Sequence, residues 1–152
     1  MIRTDSEYAQ ARTRLRDRKR RLADHAASMA AAGLEAPQLK RAIDPIHFAT
    51  LQLEEEVQAY ERARRGSFEP ITNLASLGEL LVAARIFSGI SQRELAKRLG
   101  VHESQVSRDE RNEYRTITID RATRILEAIG VAELRSELRL RSPREMNRTK
   151  RR

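Results

Sequence analysis

The stretch from Ser91 to Glu110, SQRELAKRLGVHESQVSRDE, constrains the fold more than any other part of the chain. Two short helical patterns flank Leu99-Gly100-Val101. In the first, Leu95 and Leu99 stand four apart and share one face, and Ala96 leaves room for a close neighbour. Gly100 accepts a backbone conformation that side chains oppose, so a sharp turn fits there, with Val101 plugging the core behind it. In the second pattern Val106 is the inner anchor, while Glu103, Ser104, Gln105, Ser107 and Arg108 are directed away from it. Such side chains are costly to bury without partners, so the outer face of this second helix is expected to meet a polar ligand or water.

The remaining chain offers little material for a large core. Of its 152 residues 34% are charged and 4% aromatic, which leaves narrow Leu, Ile, Val and Ala stripes, packed helix on helix, to hold an all-α protein together. Residues 5 to 32 place Tyr8, Leu15, Leu22 and Met29 at every seventh position, with Ala11 and Ala26 between them and Gly33 as a stop. Asp44-Pro45 reads as the cap and first residue of a second helix, with Ile46, Ala49, Leu53, Val57 and Tyr60 along its inner face up to Gly66. The first helix carries an arginine run, Arg12 to Arg21, and the second carries Glu54, Glu55 and Glu56, so the pair is predicted to fold back as an antiparallel hairpin with complementary flanks. Gly, Ser, Pro and Asn in GSFEPITN then interrupt every periodicity. The expected organisation is a hairpin over 1–66, a linker over 67–73, a helical domain over 74–140 and a basic disordered tail over 141–152. Ser76 with Glu79 and Ser91 with Glu94 both read as capping boxes, and Thr118 to Ile129 as a helix with Ile119, Ala122, Ile125, Leu126 and Ile129 inward, stopped by Gly130.

A first helix short enough to cross a phosphate backbone, a tight turn and a second helix with an uncovered polar face are the parts of a helix-turn-helix. The donors and acceptors on that face suit base edges: Gln105 for adenine, Arg108 for guanine, Ser104 and Ser107 for several groups, Glu103 for the cytosine amino group. Gln92, at the open start of the first helix, is placed to donate to phosphate, His102 to cap the second helix or touch phosphate, and Arg111 to add a contact at the far end. The formal net charge is +8, but residues 67–132 hold nine Lys and Arg against nine Asp and Glu. The basic excess lies at the two ends of the chain, so one copy of the reading head is expected to bind double-stranded DNA modestly and to need a second copy or the basic ends.

Residues 77–130, from LGELLVAARIF through SQRELAKRLGVHESQVSRDE to RILEAIG, resemble the lambda-repressor-like, Cro/CI or XRE type of helix-turn-helix domain. The resemblance implies a five-helix DNA-binding bundle, following the N-terminal hairpin, that acts as a dimer on a palindromic operator. It also implies a structural ion pair between Arg85 on the opening helix and Glu110 after the recognition helix. Asp109 stands where that family usually carries an apolar or aromatic residue, which predicts an altered or frayed end to the recognition helix. With its extra N-terminal hairpin the whole chain resembles, more weakly, HigA-type antitoxins and related regulators, implying a protein toxin as a possible partner. A homodimer is the first expectation for the hairpin, because two reading heads must match half-sites about 34 Å apart.

No catalytic site is expected, since nothing orients a nucleophile and a base and no glycine-rich phosphate loop is present. His25, His47 and His102 are widely separated, His25 reading as partly packed and His47 as surface, and the chain has no cysteine, so no metal or other cofactor is expected. The first ten residues lack the apolar segment of a signal sequence, and no apolar run approaches the roughly 18 residues of a membrane span, so a cytoplasmic setting without membrane contact is expected.

Overall fold

The computed structural model describes residues 1–68, 70, 71 and 73–135; the basic tail expected over 141–152 lies outside the described residues. Helices are the only regular elements among the described residues, without strands. α1 (Asp5–Ala31) and α2 (Ala36–Arg64) form the hairpin. A single 3-10 turn (Leu74–Ser76) leads into α3 (Leu77–Phe87), α4 (Gln92–Leu99), α5 (Glu103–Arg111) and α6 (Ile119–Ile129). The described residues thus hold four α-helices and one 3-10 turn of the expected five-helix domain.

Thr4 starts α1 by accepting the Glu7 N–H at its Oγ1, 3.1 Å away. Tyr8, Ala11, Leu15, Leu22, Ala26 and Met29 form the covered or half-covered line of that helix. Its arginines stay outside, and Gly33 reverses the chain at φ +81°. α2 runs antiparallel to it. Tyr8 Oη donates to Glu61 (2.6 Å), Lys19 Nζ to Glu54 (2.5 Å) and Arg18 Nη1 to the Ala49 carbonyl (3.1 Å), so low numbers on α1 meet high numbers on α2.

The second helix begins nine residues before the cap expected at Asp44-Pro45. Pro37 sits in the first turn, where its missing N–H leaves no helical bond unmade, and Glu35 N–H donates to Gln38 Oε1 (3.1 Å). Pro45 therefore lies inside α2, and half-buried Leu39 and Ile43 carry the apolar line through it. Ile46, expected inward, is 42% exposed. Thr50 is buried instead and bonds its Oγ1 to the Ile46 carbonyl (2.8 Å).

Tyr60 connects the hairpin to its own base. Its ring stacks on Tyr8 with centroids 4.8 Å apart and its hydroxyl donates to Asp5 (2.9 Å). Burial first, then the hydrogen bond and charge of Asp5, push the Tyr60 hydroxyl from 10.0 up to about 12. The folded protein therefore keeps a proton that the unfolded chain gives up. The stability linked to this group is complete below pH 10 and is lost as the pH rises towards 12. Urea unfolding across that interval is expected to show a fall in stability that the Tyr60→Phe protein shows less steeply.

Ser76 does not form its expected capping box. The 3-10 turn enters α3 directly, which leaves Ser76 already helical (φ −83°, ψ −1°), and Asn73 caps instead by accepting from the Ala75 N–H (2.9 Å). Ile119 is also misplaced by the periodic pattern, being 80% exposed at the first position of α6, while Ile117, one residue before the Thr118 cap, packs on the core with Ala122, Ile125 and Ile129. Leu81, Val82, Leu95, Val106 and Ile125 are the innermost apolar side chains. Ile2, Val57, Tyr60 and Ala63 extend the same cluster into the hairpin, so hairpin and helical domain share one core.

Candidate nucleic-acid interface

The two helices of the reading unit are capped by their own polar residues. Ser91 Oγ accepts from the Glu94 N–H (3.0 Å), but Glu94 does not return to the cap; its carboxylate accepts from Arg98 Nε (3.0 Å) one turn on. Gly100 closes α4 at φ +68°, and the Val101 N–H reaches back to the Ala96 carbonyl (3.0 Å). His102 caps α5: its Nδ1 accepts from the Ser104 N–H (3.2 Å) and lies 2.8 Å from Ser104 Oγ. Val106, 1% exposed, anchors α5 inward. His102, Glu103, Ser104, Gln105, Arg108 and Arg111 are all exposed and Ser107 is half-buried. No ion pair joins Glu103 to Arg108 among the described residues.

Arg85 and Glu110 lie beneath this face, 3% and 0% exposed. Arg85 grips the carboxylate with Nε (2.5 Å) and Nη2 (2.8 Å), and its remaining donors reach the Ile90 carbonyl (2.7 Å) and the Arg3 carbonyl (2.9 Å). A forked, charge-assisted pair of this kind fixes direction as well as distance. Gln92, assigned to phosphate on sequence grounds, spends its amide on the same carboxylate, donating from Nε2 to Glu110 Oε2 (2.8 Å). The reason is position: the first turn of α4 faces the end of α5, so a long amide there reaches the buried anion. Arg3 Nε donates to the Glu110 carbonyl (3.1 Å), placing a cation at the C-terminal end of α5, where the helix dipole favours it. Sequence reasoning missed Arg3, since 82 residues separate it from Arg85 and no local pattern joins them.

Asp109 does not fray the recognition helix. α5 continues to Arg111, and the Asp109 carboxylate accepts from Arg121 Nη2 (2.5 Å), tying the end of α5 to α6. An acid in an apolar position was itself a signal for a basic partner. Beyond α5 the chain turns through Glu113 (φ 54°) and Tyr114 (φ 50°), an unusual left-handed pair in non-glycine residues. Burial, and then the Glu110 charge, raise the Tyr114 hydroxyl well above its ordinary range, so the ring stays neutral beside the ion pair. This turn and α5 border a polar groove of about 640 Å³ lined by Gln105, Arg111, Asn112, Arg115 and Arg121 together with Asp109 and Glu113, which pair with Arg121 and Arg115 and leave Arg111 as its unpaired cation among the described residues. Arg115 and Asn112, outside the motif, are contact candidates that the motif pattern does not contain.

Among the described residues no cluster of His, Asp and Glu has the arrangement of a metal site, and His25, His47 and His102 are each exposed; His25 is not packed on the α1 stripe as its position suggested. No single helix is long and apolar enough to cross a membrane. The hairpin packs on the helical domain through α2 on α3, and Arg3 reaches α5 only at its buried end.

A family model described as helix-turn-helix matches residues 82–134. Comparison with curated proteins and with solved structures gives no match, and no comparison supports the HigA-type resemblance of the whole chain. The match spans the second half of α3 through α6, including both capped helices, the glycine turn and the Arg85–Glu110 pair. Residues 82–134 are therefore an XRE-type helix-turn-helix domain, the DNA-binding part of a regulator.

Proposed function

We propose that this protein is a sequence-specific transcriptional regulator that binds a palindromic operator as a dimer, with α5 in the major groove. The observation that carries this reading is the contrast between the two sides of α5. Its inner side is locked by Val106 and the Arg85–Glu110 pair, while Ser104, Gln105 and Arg108 project from a surface that the described residues leave open. A rigid helix with an uncovered polar face loses little conformational freedom on docking. Gln105 and Arg108 read bases, Ser104, Ser107 and Glu103 add to that readout, and His102, Arg111 and Arg115 border the phosphates. Gln92 contributes by holding Glu110.

Selection of bound sequences from a random DNA pool tests the reading, with an inverted repeat as the expected result and an asymmetric or absent preference against it. Arg108→Ala is expected to weaken operator binding by about 1–3 kcal/mol and to relax the preference at one base position. An equal loss on random DNA would show that Arg108 touches only the backbone.

A second reading, an antitoxin whose hairpin holds a protein toxin, is favoured by the apolar residues that α2 leaves exposed, Phe48 above all. It requires the hairpin to bind a protein of different sequence, which co-purification from the native source would reveal.

A further inference from the structure

The segment before α1 is fixed against the buried charge of the reading unit. Ile2 is sunk in the shared core, 5% exposed, and Arg3 next to it is half-buried. The Arg3 carbonyl accepts from Arg85 Nη2 (2.9 Å), and Arg3 Nε donates to the Glu110 carbonyl (3.1 Å), so backbone and side chain of this residue are both held. The two terminal nitrogens of its guanidinium make no hydrogen bond among the described residues. Arg3 borders a depression of about 170 Å³ at the start of α4, which it shares with Ser91, Gln92, Asp5 and Arg64.

The charges around this depression leave Arg3 unanswered. Asp5 lies against Arg64 (3.6 Å) and accepts the Tyr60 hydroxyl. The Glu110 carboxylate is taken by Arg85 and Gln92, and Glu94, in the first turn of α4, is paired with Arg98. Glu7 accepts the backbone N–H of Arg3 (2.8 Å) but does not line the depression. No acid forms an ion pair with Arg3 among the described residues.

A duplex backbone suits that cation. A helix-turn-helix lays its first helix across the phosphates while its second enters the groove, so phosphate approaches the start of α4. Gln92, the side chain of the unit itself placed for that contact, spends its amide on Glu110. Residues 67–132 carry nine Lys and Arg against nine Asp and Glu, so a cation brought in from outside the unit adds attraction that the unit lacks. A guanidinium anchored through Nε keeps its outer nitrogens as a pre-aimed donor pair for phosphate oxygens.

We propose that Arg3 contacts a DNA phosphate beside the start of α4 when α5 lies in the major groove. This rests on the DNA-binding reading above and adds to it a contact from outside the matched residues 82–134, supplied by the segment that leads into the hairpin.

Titrations of the full chain with the selected operator and with a random duplex, over a range of salt concentrations, test it, with circular dichroism to confirm that each variant is folded. Arg3→Gln is expected to lower the slope of log affinity against log salt by about one and to weaken both duplexes alike, roughly fivefold near physiological salt, leaving the operator preference unchanged. Arg3→Lys keeps the charge and is expected to restore the slope. A slope unchanged in Arg3→Gln would overturn the contact, and if operator preference fell at the same time, Arg3 acts only by holding the end of α5. The chain has no cysteine, so Arg3→Cys can carry an iron-chelate cleavage reagent at that one position. It is expected to cut the backbone at the edge of the bound site, and cuts absent from the site would place the segment away from the duplex and overturn the contact independently of affinity. A wild-type chain with no salt-dependent binding to any duplex would instead remove the DNA-binding reading on which the contact rests.

Discussion

Glu110→Ala is expected to destabilise the protein by about 3–5 kcal/mol, a large share of the total stability of a chain this size. The loss comes less from the attraction removed than from what is left behind. Arg85 remains 3% exposed with a full positive charge and no anion, and Gln92 loses the acceptor of its amide. Arg85→Ala should cost a similar amount, since it strands a carboxylate that is completely buried. Replacing both by apolar residues of comparable size, Arg85→Met with Glu110→Leu, should cost less than either single change, because no uncompensated charge remains. Urea unfolding followed by circular dichroism measures all three. If the double variant is as unstable as the sum of the two singles, the pair is not acting as a coupled unit. Operator affinity of the double variant, measured where it is fully folded, separates a second role: the pair joins α3, α5 and the Arg3 segment, so its loss should loosen the aim of α5 even with stability recovered.

Gly78→Ala is expected to cost about 3 kcal/mol, the upper end of the range for overpacking a tight site. A Cβ on Gly78 would overlap the Glu113 carbonyl oxygen and lie 2.5 Å from its carbon. Backbone cannot rotate aside as a flexible side chain can, so either α3 shifts or the left-handed turn at Glu113 and Tyr114 opens. That turn follows the recognition helix directly. Operator binding should therefore fall more steeply than the unfolded fraction predicts, in a comparison of melting curves with titrations at low temperature. A variant with unchanged melting and unchanged affinity would show that the contact between α3 and the turn yields freely.

The helical class, the hairpin and the reading unit were legible because each depends on short-range periodicity. Leu95, Leu99 and Val106 repeat at helical spacing, Gly100 marks the turn, and Tyr8 to Met29 repeat every seventh residue. Boundaries set by competition were not. Two prolines eight residues apart, Pro37 and Pro45 with Leu39 and Ile43 between them, look alike as breakers, and only packing decides which one a helix absorbs. Ile119 and Ile117 are equally apolar, and the choice between them rests on the edge of a neighbouring helix. The contact of the Gln92 amide with a carboxylate eighteen residues away is likewise not visible in the residue type or its place in the motif.

Local order alone thus established which face of α5 is polar, where its caps lie and that a glycine bends the chain before it, since those properties follow from residues within a turn or two of one another. Tertiary packing chose how the polar side chains are spent: Gln92 and Arg3 on Glu110, Asp109 on Arg121, and Gln105 and Arg108 on nothing within the described residues. A buried charge must take whatever donors the fold brings within reach, and which ones arrive depends on contacts made across 18 to 107 residues of chain.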